Sequence, residues 1–202
     1  MITIIDYNAG NIGSLKNIIK KVGGESISTN NIDLLKKAKK IILPGVGSFD
    51  YGMSQLQKFK LIDIIKYKTQ VEKTPFLGIC LGMQLIANSS EEGDLEGLSL
   101  IESKVLKFSN ESNKKFKIPH MGWNSVKIIK DNPLIESSVF NKFYFVHSFY
   151  FEPKDESHIT GTTNYINNFT SYVRKDNIYG VQFHPEKSHK YGMSLIKKFI
   201  EL

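Results

Sequence analysis

Thr74-Pro75-Phe76-Leu77-Gly78-Ile79-Cys80-Leu81-Gly82-Met83-Gln84 decides how the chain is organised. An apolar run too short for a helix meets a Gly-X-Cys-X-Gly core, and Met83-Gln84-Leu85-Ile86-Ala87 then reads as helix. Cys80 therefore sits on a strand-to-helix turn, the geometry of a nucleophile elbow with a thiol in place of a hydroxyl. A sharp turn crowds the positions two before and two after the nucleophile, which gives glycine at Gly78 and Gly82 a steric reason. A helix start aims N–H groups and positive dipole at the sulfur, favouring the thiolate, the form that attacks. The same amides, Leu81's above all, are placed to stabilise an oxyanion. The competing reading is a buried structural cysteine, since free cysteine is among the most buried residue types. A base elsewhere in the chain would separate the two.

Upstream, residues 2–6 form an apolar β-type run ahead of the turn-rich Asp6-Tyr7-Asn8-Ala9-Gly10-Asn11. Leu15, Ile18, Ile19 and Val22 recur at helical spacing, and Gly23-Gly24 ends that helix. A strand is expected near residues 25–28, a helix around 32–38, and a strand over 40–43 running into Pro44-Gly45-Val46-Gly47-Ser48. One amphipathic helix is expected over residues 51–68, with Leu56, Phe59, Ile62 and Ile65 on its apolar stripe. Strands alternating with helices imply an α/β fold: an open, twisted, mostly parallel sheet with helices on both faces. Ligands bind at the carboxyl ends of such strands, so the loops at 6–11, 44–48 and 78–82 are expected to share one edge.

Downstream the pattern changes. Residues 89–97 are acidic and turn-like, 98–108 suggest one or two short strands, and 109–117 read as a polar loop. β-like runs follow at 124–129, 142–151, 158–163, 169–174 and 178–183, and a closing helix spans 191–200. This half is expected to supply antiparallel additions to the sheet. There is no Gly/Ser-rich linker or repeat, so residues 1–202 are expected to form a single domain.

A single cysteine excludes an internal disulfide and suits a reducing compartment. The first residues lack the basic start and longer apolar region of a signal peptide, and no apolar run approaches membrane-spanning length. The expected location is the cytoplasm, with no membrane partner. A net charge of +7 invites a nucleic-acid reading. The positive charge is almost all lysine on the polar sides of predicted helices, and Arg174 is the only arginine, so bidentate readers of phosphates and bases are missing. No nucleic-acid partner is expected; attraction to an acidic protein face is the milder consequence.

The base comes from Gly180-Val181-Gln182-Phe183-His184-Pro185-Glu186. His184 leaves a β-like run, and in an extended segment residues i and i+2 point the same way. Glu186 is thereby expected beside the imidazole, holding one ring nitrogen while the other faces the thiol. Cys80, His120, His147, His158, His184 and His189 show no zinc-ligand spacing, so no metal is expected.

Gly-Ile-Cys-Leu-Gly-Met-Gln, followed about a hundred residues on by Gln-Phe-His-Pro-Glu-Lys-Ser, resembles the class I (triad) glutamine amidotransferases. The whole chain is more closely similar to the glutaminase subunits of imidazole glycerol phosphate synthases. The supporting segments run from Asp6 to Asn11, Leu43 to Phe49, Ser90 to Gly93, Ile118 to Asn124 and Val146 to Tyr150. The resemblance implies hydrolysis of L-glutamine to glutamate, without a cofactor, with Cys80 as nucleophile, His184 as acid and base, and Glu186 orienting it. It further implies oxyanion donors from the backbone of Leu81 and of the loop containing Val46 and Gly47. Glutamine would be held by Gln84, Gly47 and the backbone of His147, Ser148 and Phe149. Ammonia would pass to a (β/α)₈-barrel synthase in a heterodimer, with Asn11, Met121, Trp123 and Asn124 at the interface by position. Read by itself, Trp123 suits either an interface anchor or the core. Two stretches depart from the family. Glu102–Phe108 lacks its usual glycine and arginine, and His189-Lys190-Tyr191-Gly192-Met193 is similar to paralogues that feed sugar-modifying amidotransferases in surface-glycan or flagellin-glycan pathways. A catalytically silent scaffold subunit is the alternative of another class; all three triad positions being filled argues against it.

Overall fold

A computed structural model describes residues 1–109, 116–137 and 141–202. The parallel part of its sheet comprises β2 (Ser26–Thr29), β1 (Ile2–Ile5), β3 (Ile41–Leu43), β4 (Phe76–Ile79) and β12 (Ile178–Val181), in that spatial order. β1, β3, β4 and β12 are buried along their whole length, as strands covered on both faces must be. Alternate side chains feed two cores. Ile5, Leu43 and Phe76 join the core containing α3 (Phe49–Lys58) and α4 (Ile62–Lys66), whereas Ile4, Ile42 and Leu77 join that of α1 (Ile12–Lys21) and α6 (His189–Glu201).

β12 corrects the reading of the second half. Its run is expected among the antiparallel additions, but it inserts beside the elbow strand, pairing Ile178 with Phe76 and Val181 with Ile79 in parallel. Antiparallel pairing begins one strand further out with β11 (Asn168–Lys175), and the path continues through β10 (Ile159–Asn164), β7 (His120–Ile128) and β8 (Asn141–His147). The expected strand over 142–151 is two strands, since the chain turns at Ser148 into β9 (Phe149–Pro153), which pairs with β6 (Ser103–Lys107). β7 also starts earlier than expected, so His120 and Trp123 are strand residues.

The long helix over 51–68 is broken. Lys60 adopts φ +56°, and Leu61 donates back to Leu56 O over 2.9 Å, closing α3 and burying Leu61 completely. α4 then ends in a π-helical turn over Tyr67–Val71. α2 spans only Ile32–Lys36. The polar loop expected at 109–117 falls largely on 110–115, outside the described residues. Among the described residues no helix is long and apolar enough to cross a membrane.

Candidate active site

β4 ends at Ile79, and Cys80 takes φ +53° and ψ −108° before helix α5 begins at Leu81. A residue with a Cβ pays on the order of 1–3 kcal/mol there, so the surroundings must impose it. The Cys80 amide donates to Val181 O (2.8 Å), and its carbonyl accepts from Met83 and Gln84 (3.0 and 3.2 Å). A Cβ on Gly82 would sit 1.9 Å from Leu43 O, and one on Gly78 would sit 2.6 Å from Gly82 O, so the flanking glycines are steric necessities. α5 is only Leu81–Gln84, shorter than the helix expected from the apolar run.

Because β12 lies parallel to β4, the segment leaving β12 emerges beside the elbow. His184 and Cys80 line the same cavity of about 320 Å³. Glu186 does not reach the imidazole from an extended segment as expected. Pro185–Lys187 form a 3₁₀ turn, and this turn brings Glu186 Oε1 to 2.8 Å from His184 Nδ1. A carboxylate accepts, so Nδ1 carries the hydrogen and Nε2 is the nitrogen left for chemistry. Nε2 is buried, with Cys80 as its neighbour and no fully formed hydrogen bond among the described residues. Burial alone would lower the His184 pKa. The charge of Cys80, hydrogen bonding with it, and Glu186 outweigh burial and push it up to about 10. Ser188, to which the sequence attaches no role, fixes the ring's backbone: its hydroxyl donates to His184 O (2.6 Å) and accepts from Tyr144 N (3.0 Å).

Leu81, Val46, Gly47, Gln84, His147, Ser148 and Phe149 line the same cavity. The three loops expected along one sheet edge do converge: Val46 N–H donates to Ala9 O over 2.9 Å, and the 45–47 loop packs on the elbow. That bond corrects one expectation, because Val46's N–H is committed to Ala9 and is not aimed at an oxyanion. Leu81, at the first helical position, has no intrahelical acceptor for its amide. Gly47, at φ +105°, occupies a conformation suited to glycine.

The His147 side chain is structural. Its Nδ1 donates to Phe149 O over 2.7 Å, and burial pushes its pKa down to about 3. Gln84 Nε2 donates to the same carbonyl (3.0 Å). Glu92 also lines the cavity; it accepts from Phe49 N–H (2.8 Å), and burial raises its pKa. In the sequence its segment enters only through the resemblance, with no role attached.

Of the interface candidates, Met121 and Trp123 are exposed by 62% and 40%, which excludes the core reading of Trp123. The indole stacks on His189, 5.5 Å between centroids and 5° between planes. Asn11 is exposed but also caps α1 through Ser14 N (3.3 Å). The Asn124 side chain turns inward, contacting His120 Nε2 (3.2 Å) and Asn164 O (2.9 Å).

Comparisons with known proteins agree with this geometry. The family described as glutamine amidotransferase class-I matches residues 3–202. The imidazole glycerol phosphate synthase subunit HisH 2 of Methanococcus maripaludis is 58% identical, covering 100% of this chain and 99% of its own. Subunit HisH of Methanocaldococcus jannaschii is 48% identical, with 100% coverage of both chains. A crystal structure of a glutamine amidotransferase superposes with TM-score 0.77 at 17% identity over 100% of this chain and 98% of that one. Another glutamine amidotransferase, from Thermotoga maritima, gives TM-score 0.65 at 17% identity, covering 92% and 75%; at such identities the likeness is one of fold. A thiol on a strained elbow, sharing a cavity with a carboxylate-backed imidazole just past the next parallel strand, and a match over nearly every residue place this chain in the class I glutamine amidotransferase family.

Proposed function

We propose that residues 1–202 form one glutamine amidotransferase domain, the glutaminase subunit of an imidazole glycerol phosphate synthase. It hydrolyses L-glutamine and passes ammonia to a (β/α)₈-barrel synthase that makes imidazole glycerol phosphate and AICAR in histidine biosynthesis. The two chains would form a cytoplasmic heterodimer. The observation that carries this reading is the shared cavity of Cys80 and His184, with Glu186 behind the ring.

The sulfur of Cys80 attacks the side-chain amide carbon, and the electron pair of the carbonyl moves to oxygen, where the Leu81 amide receives it. Collapse forms the γ-glutamyl thioester and breaks the C–N bond, His184 Nε2–H giving its proton to the leaving ammonia. The Cys80 charge is the main influence raising His184. Once the sulfur is acylated that charge is gone, so the imidazolium becomes a better acid when a proton is needed. Neutral His184 then takes a proton from water, which attacks the thioester and releases glutamate and the thiolate. Glu186 holds the ring and its tautomer throughout. Gln84, Gly47 and the 147–149 backbone would hold glutamine. Glu92, an acid in the cavity wall, offers a partner for its α-ammonium group. Full oxyanion stabilisation would require the Val46 peptide to turn away from Ala9.

The partner face carries Trp123 and Met121, and His189 from the departing 189–193 stretch stacks there too. That stretch therefore bears on which synthase docks. The test is synthesis: purified chain, a histidine-pathway barrel, its nucleotide substrate and glutamine should yield imidazole glycerol phosphate. Glutamine turnover supported only by a sugar amidotransferase would overturn the pathway, and no turnover with either would overturn the glutaminase.

A further inference from the structure

Gln182 has no part in the steps above, yet it is fully buried beside the nucleophile. Its Nε2 lies 3.8 Å from Cys80 Sγ, and its Oε1 lies 3.2 Å from Gln84 Nε2. The direction of this amide follows from its neighbours. Phe149 O can only accept, so the Gln84 group 3.0 Å from it must be the NH₂. His147 Nδ1–H donates to the same oxygen and holds it in place (2.7 Å). The Gln84 NH₂ in turn requires an oxygen from Gln182, because a reversed amide would set N–H against N–H. Gln182 is left with its NH₂ directed at the sulfur. Besides the His184 imidazole, the sulfur has Val146 O at 3.9 Å, an acceptor that favours the protonated thiol. A donor on the sulfur counters it, since a hydrogen bond to a charged group is among the stronger kinds.

We propose that Gln182 is a catalytic residue, donating from its side-chain amide to the Cys80 sulfur and stabilising the attacking thiolate, with Gln84 and Phe149 O holding the amide in the donating orientation. The inference rests on Cys80 being the nucleophile of the proposed function, and the test separates the two.

Cys80 is the only cysteine, so alkylation by iodoacetamide, followed by intact mass, reads its reactivity without glutamine or partner. Gln182→Met and Gln182→Leu keep the buried volume roughly similar and remove the donor. Each should be alkylated about tenfold more slowly than wild type near neutral pH, with the gap narrowing as pH is raised. Rapid alkylation of wild type with unchanged rates in both folded variants would overturn the role of Gln182. Wild-type alkylation no faster than that of a free thiol would instead sink the nucleophile reading. Should neither variant fold, the side-chain amide protons of Gln182, identified by their proximity to Gln84, report on the contact. They should lose a downfield shift in Cys80→Ala, and identical resonances in the two proteins would overturn the proposal.

Discussion

His120 Nδ1 and His147 Nε2 face each other at 2.9 Å, from directly paired positions of β7 and β8, and both rings are buried. His147 Nδ1–H is engaged by Phe149 O, so its Nε2 accepts in the neutral ring, and His120 is the donor. Burial pushes His120 down to about 4 and His147 down to about 3, each from an ordinary value of 6.5. The unfolded chain therefore binds protons that the folded chain refuses. Stability from this pair is fully present above the unfolded pKa and is lost as pH falls from 6.5 through 4 and 3. Each histidine contributes a slope of up to about 1.4 kcal/mol per pH unit within that window. Urea unfolding across it should show the loss, and His120→Asn, which retains a donor to His147, should show a shallower one. Equal slopes would mean that other groups govern the acid limb.

Cys80→Ala should remove glutamine-dependent synthesis by three orders of magnitude or more, roughly the worth of a nucleophile, while ammonia-dependent synthesis by the partner persists. Its backbone adds a second prediction. At φ +53° any side chain is strained, so Cys80→Gly should be more stable than Cys80→Ala by about 1 kcal/mol. Thermal melts of the two variants read this directly, and an Ala variant at least as stable would show that the elbow is unstrained.

His184→Asn should be nearly as damaging as loss of the thiol, because proton transfer in both half-reactions is gone. Glu186→Gln leaves a carbonyl able to accept from Nδ1–H and should retain more activity, with losses of roughly 10- to 1000-fold. It should also lower the His184 pKa, since the carboxylate is one of the groups raising it. Single-turnover thioester formation against pH measures both. Glu186→Gln falling as low as His184→Asn would put Glu186 in the chemistry itself.

These residues differ in how far the sequence announces them. The elbow is legible because much of its cause is local: two glycines and a cysteine within five residues, with Gly78 crowded by Gly82 O inside the turn itself. The parallel seat of β12 is not, because the pairing of Val181 with Ile79 joins residues about a hundred positions apart and leaves no mark on the strand's composition. The break at Lys60 is hidden for another reason. Lysine is an ordinary helix residue, and burial of Leu61 overrides its preference. The 3₁₀ turn after His184 could have been read from Pro185 at a first helical position. Gln182, Ser188 and the His120–His147 pair owe their roles to neighbours brought by the sheet, so only coordinates disclose them.

Glu92 gives a prediction about binding separate from chemistry. Its carboxylate is held by Phe49 N–H at the start of α3 and lines the cavity with Gln84. Glu92→Gln keeps the acceptor for that amide and removes the charge offered to an α-ammonium group. The glutamine KM should rise about 10- to 100-fold with kcat changed far less, as expected for an interaction equal in ground and transition states. An unchanged KM would exclude contact with the ammonium group.

Trp123 joins exposure to order, which suits an anchor. Its ring is 40% exposed, braced on one side by the parallel His189 ring and edge-on to Tyr144 at 6.3 Å. A large aromatic held in place before binding loses little side-chain entropy when a partner covers it, and central aromatics of this kind carry much of an interface's energy. Trp123→Ala removes little from the core, so the melting temperature should move by no more than a few degrees. Affinity for the barrel should fall by roughly 2 kcal/mol or more, about 30-fold. Calorimetric titration with the barrel measures this, and glutamine turnover at saturating partner tells association from coupling. Undiminished affinity with undiminished turnover would place the partner on another face of the sheet edge.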